Sequence, residues 1–431
     1  MAFELVGSGE RMHDLIRRLY PICRSLTGDG VRETLAILAE QIPLEVREVP
    51  TGTRVLDWEV PKEWNVRDAY IADESGRRVV DFAESNLHLM GYSVPVREQM
   101  LLEQLEPHLF SLPDRPDWIP YRTSYFKEQW GFCLPHRQLE SLGDGEYEVC
   151  IDSTLEEGNL TYGELLLEGE SEREVLFSCH ICHPSLCNDN LSGIVVATTL
   201  AARLAKRSLR YSYRFLFVPG MLGPITWLAL NESRLDRVAH GLVLTLLGDP
   251  GGFTYKRSRR HDAEIDRAVE NVLGQLEGSE LRDFSPWGYD ERQYCSPGFD
   301  LPVGCLMRSP HGEFAEYHTS ADDLDFVRPE ALAESLATIG EVVDVLEGND
   351  TFLNLSPKGE PQLGRRGLYG AVGGAIGGRS RELALLWVLN MSDGRHSLLA
   401  IAERSGLPFA AVRDAASSLL GVELLGRARR S

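Results

Sequence analysis

The sequence contains no apolar run long enough to cross a bilayer and no internal repeat, so neither a helical membrane protein nor a solenoid is expected. Cations are scarce. Forty-four Lys and Arg stand against 65 Asp and Glu, and the formal charge of -21 repels phosphate backbones and anionic membrane surfaces. Membrane and nucleic acid are therefore not expected as partners. The first twenty residues, MAFELVGSGERMHDLIRRLY, carry acidic groups and no uninterrupted apolar core, which argues against a signal peptide and for a cytoplasmic protein. Eight cysteines in 431 residues are too few for a dense disulfide framework. Three of them, Cys179, Cys182 and Cys187, crowd one segment where soft metal ligation is conceivable, with free thiols as the plainer reading.

What is present changes in texture along a chain longer than one hydrophobic core usually organises. Leu15, Ile16, Leu19 and Tyr20, then Leu35, Ile37 and Leu38, fit two helices separated by the SLTGDG turn. From about Thr51 to Asn159, β-like stretches such as DAYIAD and YEVCID alternate with Pro, Gly and Asp clusters. This reads as an inserted, mostly β domain, whose Trp58, Trp64, Trp118 and Trp130 fit a small core or a stacking surface for sugars. Between Tyr162 and Glu347, buried strands such as EVLFSCHI and YRFLFVPG alternate with helical stretches such as SGIVVATTLAARLAKR, the pattern of an α/β sandwich with a largely parallel sheet. A Gly- and Pro-rich stretch ending in GAVGGAIGGRS marks a second boundary. Beyond it, SLLAIAERSGLPFAAVRDAASSLL has the form of a helix-turn-helix unit in a winged-helix domain. Its second helix offers Arg413 beside Asp414, so a structural or dimerising role is expected over DNA binding, with a homo-oligomer as the consequence. The expected domains are residues 1–50 with 160–355, the insert 51–159, and the winged helix 360–431.

The densest chemistry lies in EVLFSCHICHPSLCNDNLSGIVVATTL, which runs from a buried strand through a polar turn into a helix. Strand carboxyl ends are where open α/β sheets form ligand sites, because neighbouring loops converge there. His180, His183 and Asp189 are placed to converge on one cation. Imidazole nitrogen with carboxylate oxygen suits zinc, and an incomplete protein shell leaves room for a water that the metal acidifies. Further on, Arg292 is suited either to a substrate carboxylate or to neutralising Asp290 and Glu291. The basic stretch YKRSRRH, Tyr255 to His261, fits an anionic substrate group or a solvated loop.

NDNLSG after a strand ending in histidine, with EYHTSADDLDF much later, resembles the signature of the co-catalytic zinc aminopeptidase and carboxypeptidase superfamily. The phrases SYFKEQWGFCLPH, CHPS, DERQYCSPG and PHGEFAEYHTSADD resemble more narrowly a group of bacterial aminopeptidase-like proteins with an inserted β domain and a C-terminal winged helix. The resemblance implies an α/β/α sandwich with a mixed central sheet. It implies that His180 binds one metal, that Asp189 bridges two, and that His318 binds the other. Tyr317 matches a tyrosine that in some members donates to the tetrahedral oxyanion, and the segment with Asp290 and Arg292 is placed at the substrate.

The chain departs from that pattern where the Glu-Glu pair, general base and metal ligand, is expected: Gly220 and Met221 stand there. Thr245 occupies the place of a further ligand aspartate, with Asp249 a few residues on, and Cys182 replaces the aspartate that orients the first histidine. These departures point to one zinc rather than two, held by His180 or His183, Asp189 and His318, with Glu291 or Glu316 as replacement base. The implied activity is metal-dependent hydrolysis of an amide bond in a small peptide, aminoacyl or N-acyl substrate. The alternative is a metal-binding module without hydrolysis.

Overall fold

Met12, Leu15, Ile16 and Leu19 recur every three or four residues, so helix Ser8–Leu19 buries one apolar stripe; helix Asp29–Ala39 does the same through Val31, Leu35 and Leu38. Both expected opening helices are thus formed. The computed structural model describes residues 7–124, 127–368 and 378–428. Most of the glycine-rich connection, and Tyr125 and Phe126 of the SYFKEQWGFCLPH phrase, lie outside the described residues.

The centre of the molecule is a mixed sheet. Seven of its strands are β1 (Glu45–Pro50), β2 (Asn159–Leu167), β3 (Glu174–His180), β4 (Ser212–Val218), β5 (Val238–Leu244), β6 (Thr254–Lys256) and β7 (Val303–Met307). They run in the order β1-β2-β4-β3-β5-β7-β6. The four middle strands, β4-β3-β5-β7, are parallel, while β1, β2 and β6 join antiparallel at the flanks. Alternation along the chain pointed to the parallel middle, and the mixed sheet that the resemblance implied is formed. Every residue of β3 and β4 is buried, as near-continuous apolar strands covered on both faces require. Side chains alternate across β3, so Leu176, Ser178 and His180 share a face. Leu176 joins an apolar cluster with Leu222, Ile225 and Trp227, and Ser178 accepts a 2.9 Å hydrogen bond from the Tyr294 hydroxyl. His180 ends that row at the carboxyl end of the sheet.

The insert forms a four-stranded antiparallel sheet, ordered Arg78–Asp81, Glu63–Ala72, Glu146–Glu156, Val96–Leu101. It has its own core, in which Trp64 packs with Ile71, Tyr92, Phe132 and Val149. Trp64 donates from its indole to Ser93 O at 2.9 Å, so this tryptophan is a core anchor. Insert and central sheet belong to one compact unit, Met1–His261 with Arg282–Ala337. The basic stretch near 257–260 is a surface of ion pairs, Arg257 with Asp283 and both Arg259 and Arg260 with Asp300.

A second compact unit comprises Asp262–Leu281 and Thr338–Ser431. In it Thr351–Asn354 pairs antiparallel with Asp393–Ser397 and Leu425–Arg427, beside helices Leu398–Ser405 and Phe409–Gly421. Ser397 caps the first helix by accepting from Ala400 N, and Gly406, at φ 67°, ends it in the left-handed conformation that glycine adopts without steric cost. Arg413 is paired with Asp414. Among the described residues no helix is long and apolar enough to cross a membrane.

Candidate metal centre

Three imidazoles surround one carboxylate where β3 runs out. His180 Nε2 lies 2.7 Å from Asp189 Oδ1, His318 Nε2 lies 2.9 Å from Asp189 Oδ2, and His183 Nδ1 stands 3.6 Å from Oδ1. The ligand atoms of His180, His183 and Asp189 all fall within 4.8 Å of one another. Burial pushes the Asp189 carboxyl up, but the charges and hydrogen bonds of His183, His180 and His318 outweigh it and hold the group well below the usual carboxylate range. His183, also buried, is held well below the ordinary imidazole value, chiefly by desolvation.

The backbone around Asp189 is fixed from several sides. The Asp189–Asn190 peptide is cis. Asp322 accepts from the backbone N–H groups of Asn188 and Asp189, and Asn190 donates from its amide to His180 O and Leu244 O, tying the ends of β3 and β5 together. His318 adopts φ 55°, which a residue with a Cβ holds only when its surroundings fix it. The insert supplies the fixing contacts. Tyr121 N donates to His318 O at 2.8 Å, Ser320 N to Ile119 O at 2.8 Å, and Ile119 N to Ser320 Oγ at 2.9 Å. The Tyr121 ring meets His183 and His318 edge-on, each at a centroid distance of 5.1 Å.

The histidine cluster opens on a cavity of about 290 Å³. Its wall includes His183, His318, His311, Tyr289, Tyr317, Tyr121, Cys182, Arg292 and a run of apolar groups, with no Asp or Glu among its lining residues. The explanation begins at Gly220. A Cβ built on it would lie 2.0 Å from the Tyr289 hydroxyl, so the position expected for a carboxylate is filled by a phenol from another loop. The Tyr289 ring sits 4.0 Å from that of His180 and is stacked at 5.7 Å with His311. Cys182 Sγ accepts from Gly220 N at 3.2 Å, and its thiol is pushed up to about 12 by burial, so it acts as a neutral wedge. His180 Nδ1, which the replaced aspartate would have oriented, is left buried without a hydrogen-bond partner. All eight cysteines are free.

The other sequence-derived candidates fall elsewhere. Glu291 is fully buried, ion-paired with Lys256, and accepts from Tyr289 N; it does not line the cavity and is not placed to act as a base there. Glu316 is absent from the wall as well, although its neighbour Tyr317 lines it, stacked on His318 at 3.9 Å. Asp290 is fully buried behind the wall, where its Oδ1 accepts from Met221 N at 2.8 Å and burial pushes its carboxyl up to about 8. It holds Met221 at φ 59° instead of meeting substrate. Asp249 stays out of the ligand group, because its oxygens accept from Asn188 Nδ2, Gly251 N and Ser309 Oγ. Sequence reasoning missed Tyr289, His311 and Tyr121. A glycine at a strand end where a side chain is expected was the available signal for Tyr289.

A mixed α/β sheet with a histidine and carboxylate cluster at its strand ends places the chain in the class of zinc-aminopeptidase folds. The zinc aminopeptidase of Bacillus subtilis superposes with a TM-score of 0.59 at 12% identity, covering 80% of this chain and 95% of that one. A peptidase M28 precursor of Shewanella amazonensis superposes at 0.55 and 12% identity, covering 80% and 96%. The chain belongs to the family described as Domain of unknown function (DUF4910), whose model matches residues 13–349, and a winged helix-turn-helix model matches 350–427. A Clostridium acetobutylicum protein named for polysaccharide biosynthesis and an aminopeptidase-like domain is 53% identical over 420 residues, 97% of this chain and 96% of that one. The crystal structure of a candidate peptidase from the same species has a TM-score of 0.94 at 50% identity, covering 98% of both chains.

Proposed function

We propose that the chain is a zinc-dependent amide hydrolase acting on a small peptide, aminoacyl or N-acyl substrate. The observation that carries this reading is the convergence of His180, His183, His318 and Asp189 beside a cavity that His183 and His318 line. The donor set fits the ion: imidazole nitrogens and one carboxylate, with His183 Nδ1 buried and without a hydrogen-bond partner. His180 or His183, with Asp189 and His318, would hold it. Zinc, when bound, supplies Lewis-acid polarisation of a carbonyl and lowers the pKa of water.

The chain's own groups then do the rest. Tyr289 and Tyr317 carry phenols on the wall, and the Tyr289 hydroxyl, pushed well above its ordinary value by burial, stays protonated as a donor to a developing oxyanion. His311 lines the same cavity outside the ligand set, 3.4 Å from Thr245 Oγ1; burial lowers it to about 4, which keeps the imidazole neutral and able to accept a hydrogen bond where Glu291 and Glu316 do not reach. Leu26, Leu222 and Ile225 give the wall an apolar stretch.

One observation favours a second reading, a metal-binding module without hydrolysis: the wall has no carboxylate. Metal analysis of purified protein, with hydrolysis of aminoacyl amides and N-acyl amino sugars before and after His318→Ala, separates the two. Near-stoichiometric zinc with turnover lost in the variant supports the first. Protein without stoichiometric metal sinks it, and full occupancy without turnover on any amide favours the second.

A further inference from the structure

The cavity is asymmetric in charge. Arg292 is the one Lys or Arg among its lining residues, and no carboxylate accompanies it there. Its guanidinium has poor partners: Nη2 meets the Met221 thioether at 2.8 Å, Nη1 reaches Pro286 O at 3.4 Å, and Nε is buried with no hydrogen-bond partner. A thioether is a weak acceptor, so most of the fork's donor capacity is unmet. Neither nearby acid hydrogen-bonds the guanidinium, although Asp290 and Arg292 interact through charge. Asp290 accepts from Met221 N, and Glu291 is paired with Lys256. The rest of the wall is largely apolar, with Leu26, Trp58, Met221, Leu222, Ile225 and Trp287.

From this arrangement we infer that the cavity takes an N-acylated amino acid or similar acidic amide, with its carboxylate on Arg292 and its acyl group on the apolar wall. A planar guanidinium matches a carboxylate through two parallel N–H donors, and exclusion of water strengthens the pair. A substrate with a free amino terminus would carry an ammonium into a wall that offers Arg292 as its neighbour and no counter-charge, which desolvation penalises. The site is thereby turned from amine-recognising to acid-recognising while keeping the scaffold. This inference rests on the cavity being the substrate site of the proposed hydrolase, but it makes its own claim about binding.

Binding measured by calorimetry on the full-length protein separates the two claims, because it needs neither turnover nor bound metal. Three probes suffice: N-benzoylglycine, its carboxamide N-benzoylglycinamide, and glycine anilide, which has a free amine. N-Benzoylglycine is expected to bind roughly 10- to 100-fold more tightly than the carboxamide, the worth of a charged hydrogen-bonded pair, with glycine anilide weakest. Arg292→Gln should abolish the gap between acid and carboxamide, and Arg292→Lys should restore part of it; circular dichroism verifies that both variants are folded. Tightest binding of glycine anilide, a gap that survives Arg292→Gln, or no binding of N-benzoylglycine overturns the inference. Selective acid binding by a protein that holds no zinc would leave the inference standing and remove the hydrolase reading.

Discussion

The cavity wall and the layer directly behind it have opposite chemistry. The wall presents imidazoles, phenols, apolar groups and one guanidinium. The buried carboxylates outside it include Asp189, Asp249, Asp290 and Glu291. Each has an assigned partner: the histidines for Asp189, the loop donors of Asn188, Gly251 and Ser309 for Asp249, the Met221 amide for Asp290, and Lys256 for Glu291. Acids in this molecule place the wall, and under the proposed function the wall would meet the substrate. In the resembled superfamily pattern, by contrast, carboxylates do both tasks.

The sharpest way to break that comparison is Asp189→Asn. Loss of the carboxylate shared by His180 and His318 should lower zinc affinity by more than about 100-fold, the upper range for mere outer-shell changes, as read by competition with a chelator. Retention of metal would show that the histidines alone suffice. Next in size is Lys256→Met, which strands Glu291 as a buried unpaired charge and should cost about 3–5 kcal/mol in urea unfolding. Adding Glu291→Gln should recover most of it, since the penalty belongs to the stranded charge. Gly220→Ala should cost about 1–3 kcal/mol by driving a methyl group into Tyr289. A neutral result would mean the phenol moves aside easily, and the wall could then readmit a carboxylate.

The most gradual effect is a pH slope. The folded carboxyl of Asp290 is pushed up to about 8, above its unfolded value, so its contribution to stability is complete at pH below about 4 and is lost as pH rises through about 8. Asp290→Asn should therefore flatten the decline of stability across that window by up to about 1.4 kcal/mol per pH unit. Unfolding free energies between pH 5 and 8 check it, and an unchanged slope would assign the decline to other groups.

Much of this was legible in the chain itself. Helical spacing gave the opening helices, alternation gave the parallel middle of the sheet, and the short segment from Cys179 to Gly193 put two histidines and an aspartate together, because local sequence controls a strand-to-helix turn. Glu291 and Lys256 were not legible as a pair, since they lie 35 positions apart, one at the end of a strand and the other at the start of a short helix, and nothing in either segment marks the other. The same holds for Tyr289, which fills the space above Gly220 from a distance of 69 residues in sequence. Asp249 was misplaced for a related reason: a GDPGG turn reads alike whether its carboxylate binds an ion or, as here, backbone and side-chain donors of the surrounding loops.

The contact between insert residues 119–121 and the segment 318–320 bears on the order of events during synthesis. His180, His183 and Asp189 leave the ribosome well before His318, and His318 takes up its left-handed backbone against a part of the insert made some two hundred residues earlier. Under the proposed function, ion capture by the full ligand set would thus be a late step, following the closing of insert and sheet on each other. On that reading a protease nick near residue 120 would weaken metal binding while leaving every strand of the central sheet in place, which would make metal retention a readout of whether the insert is intact.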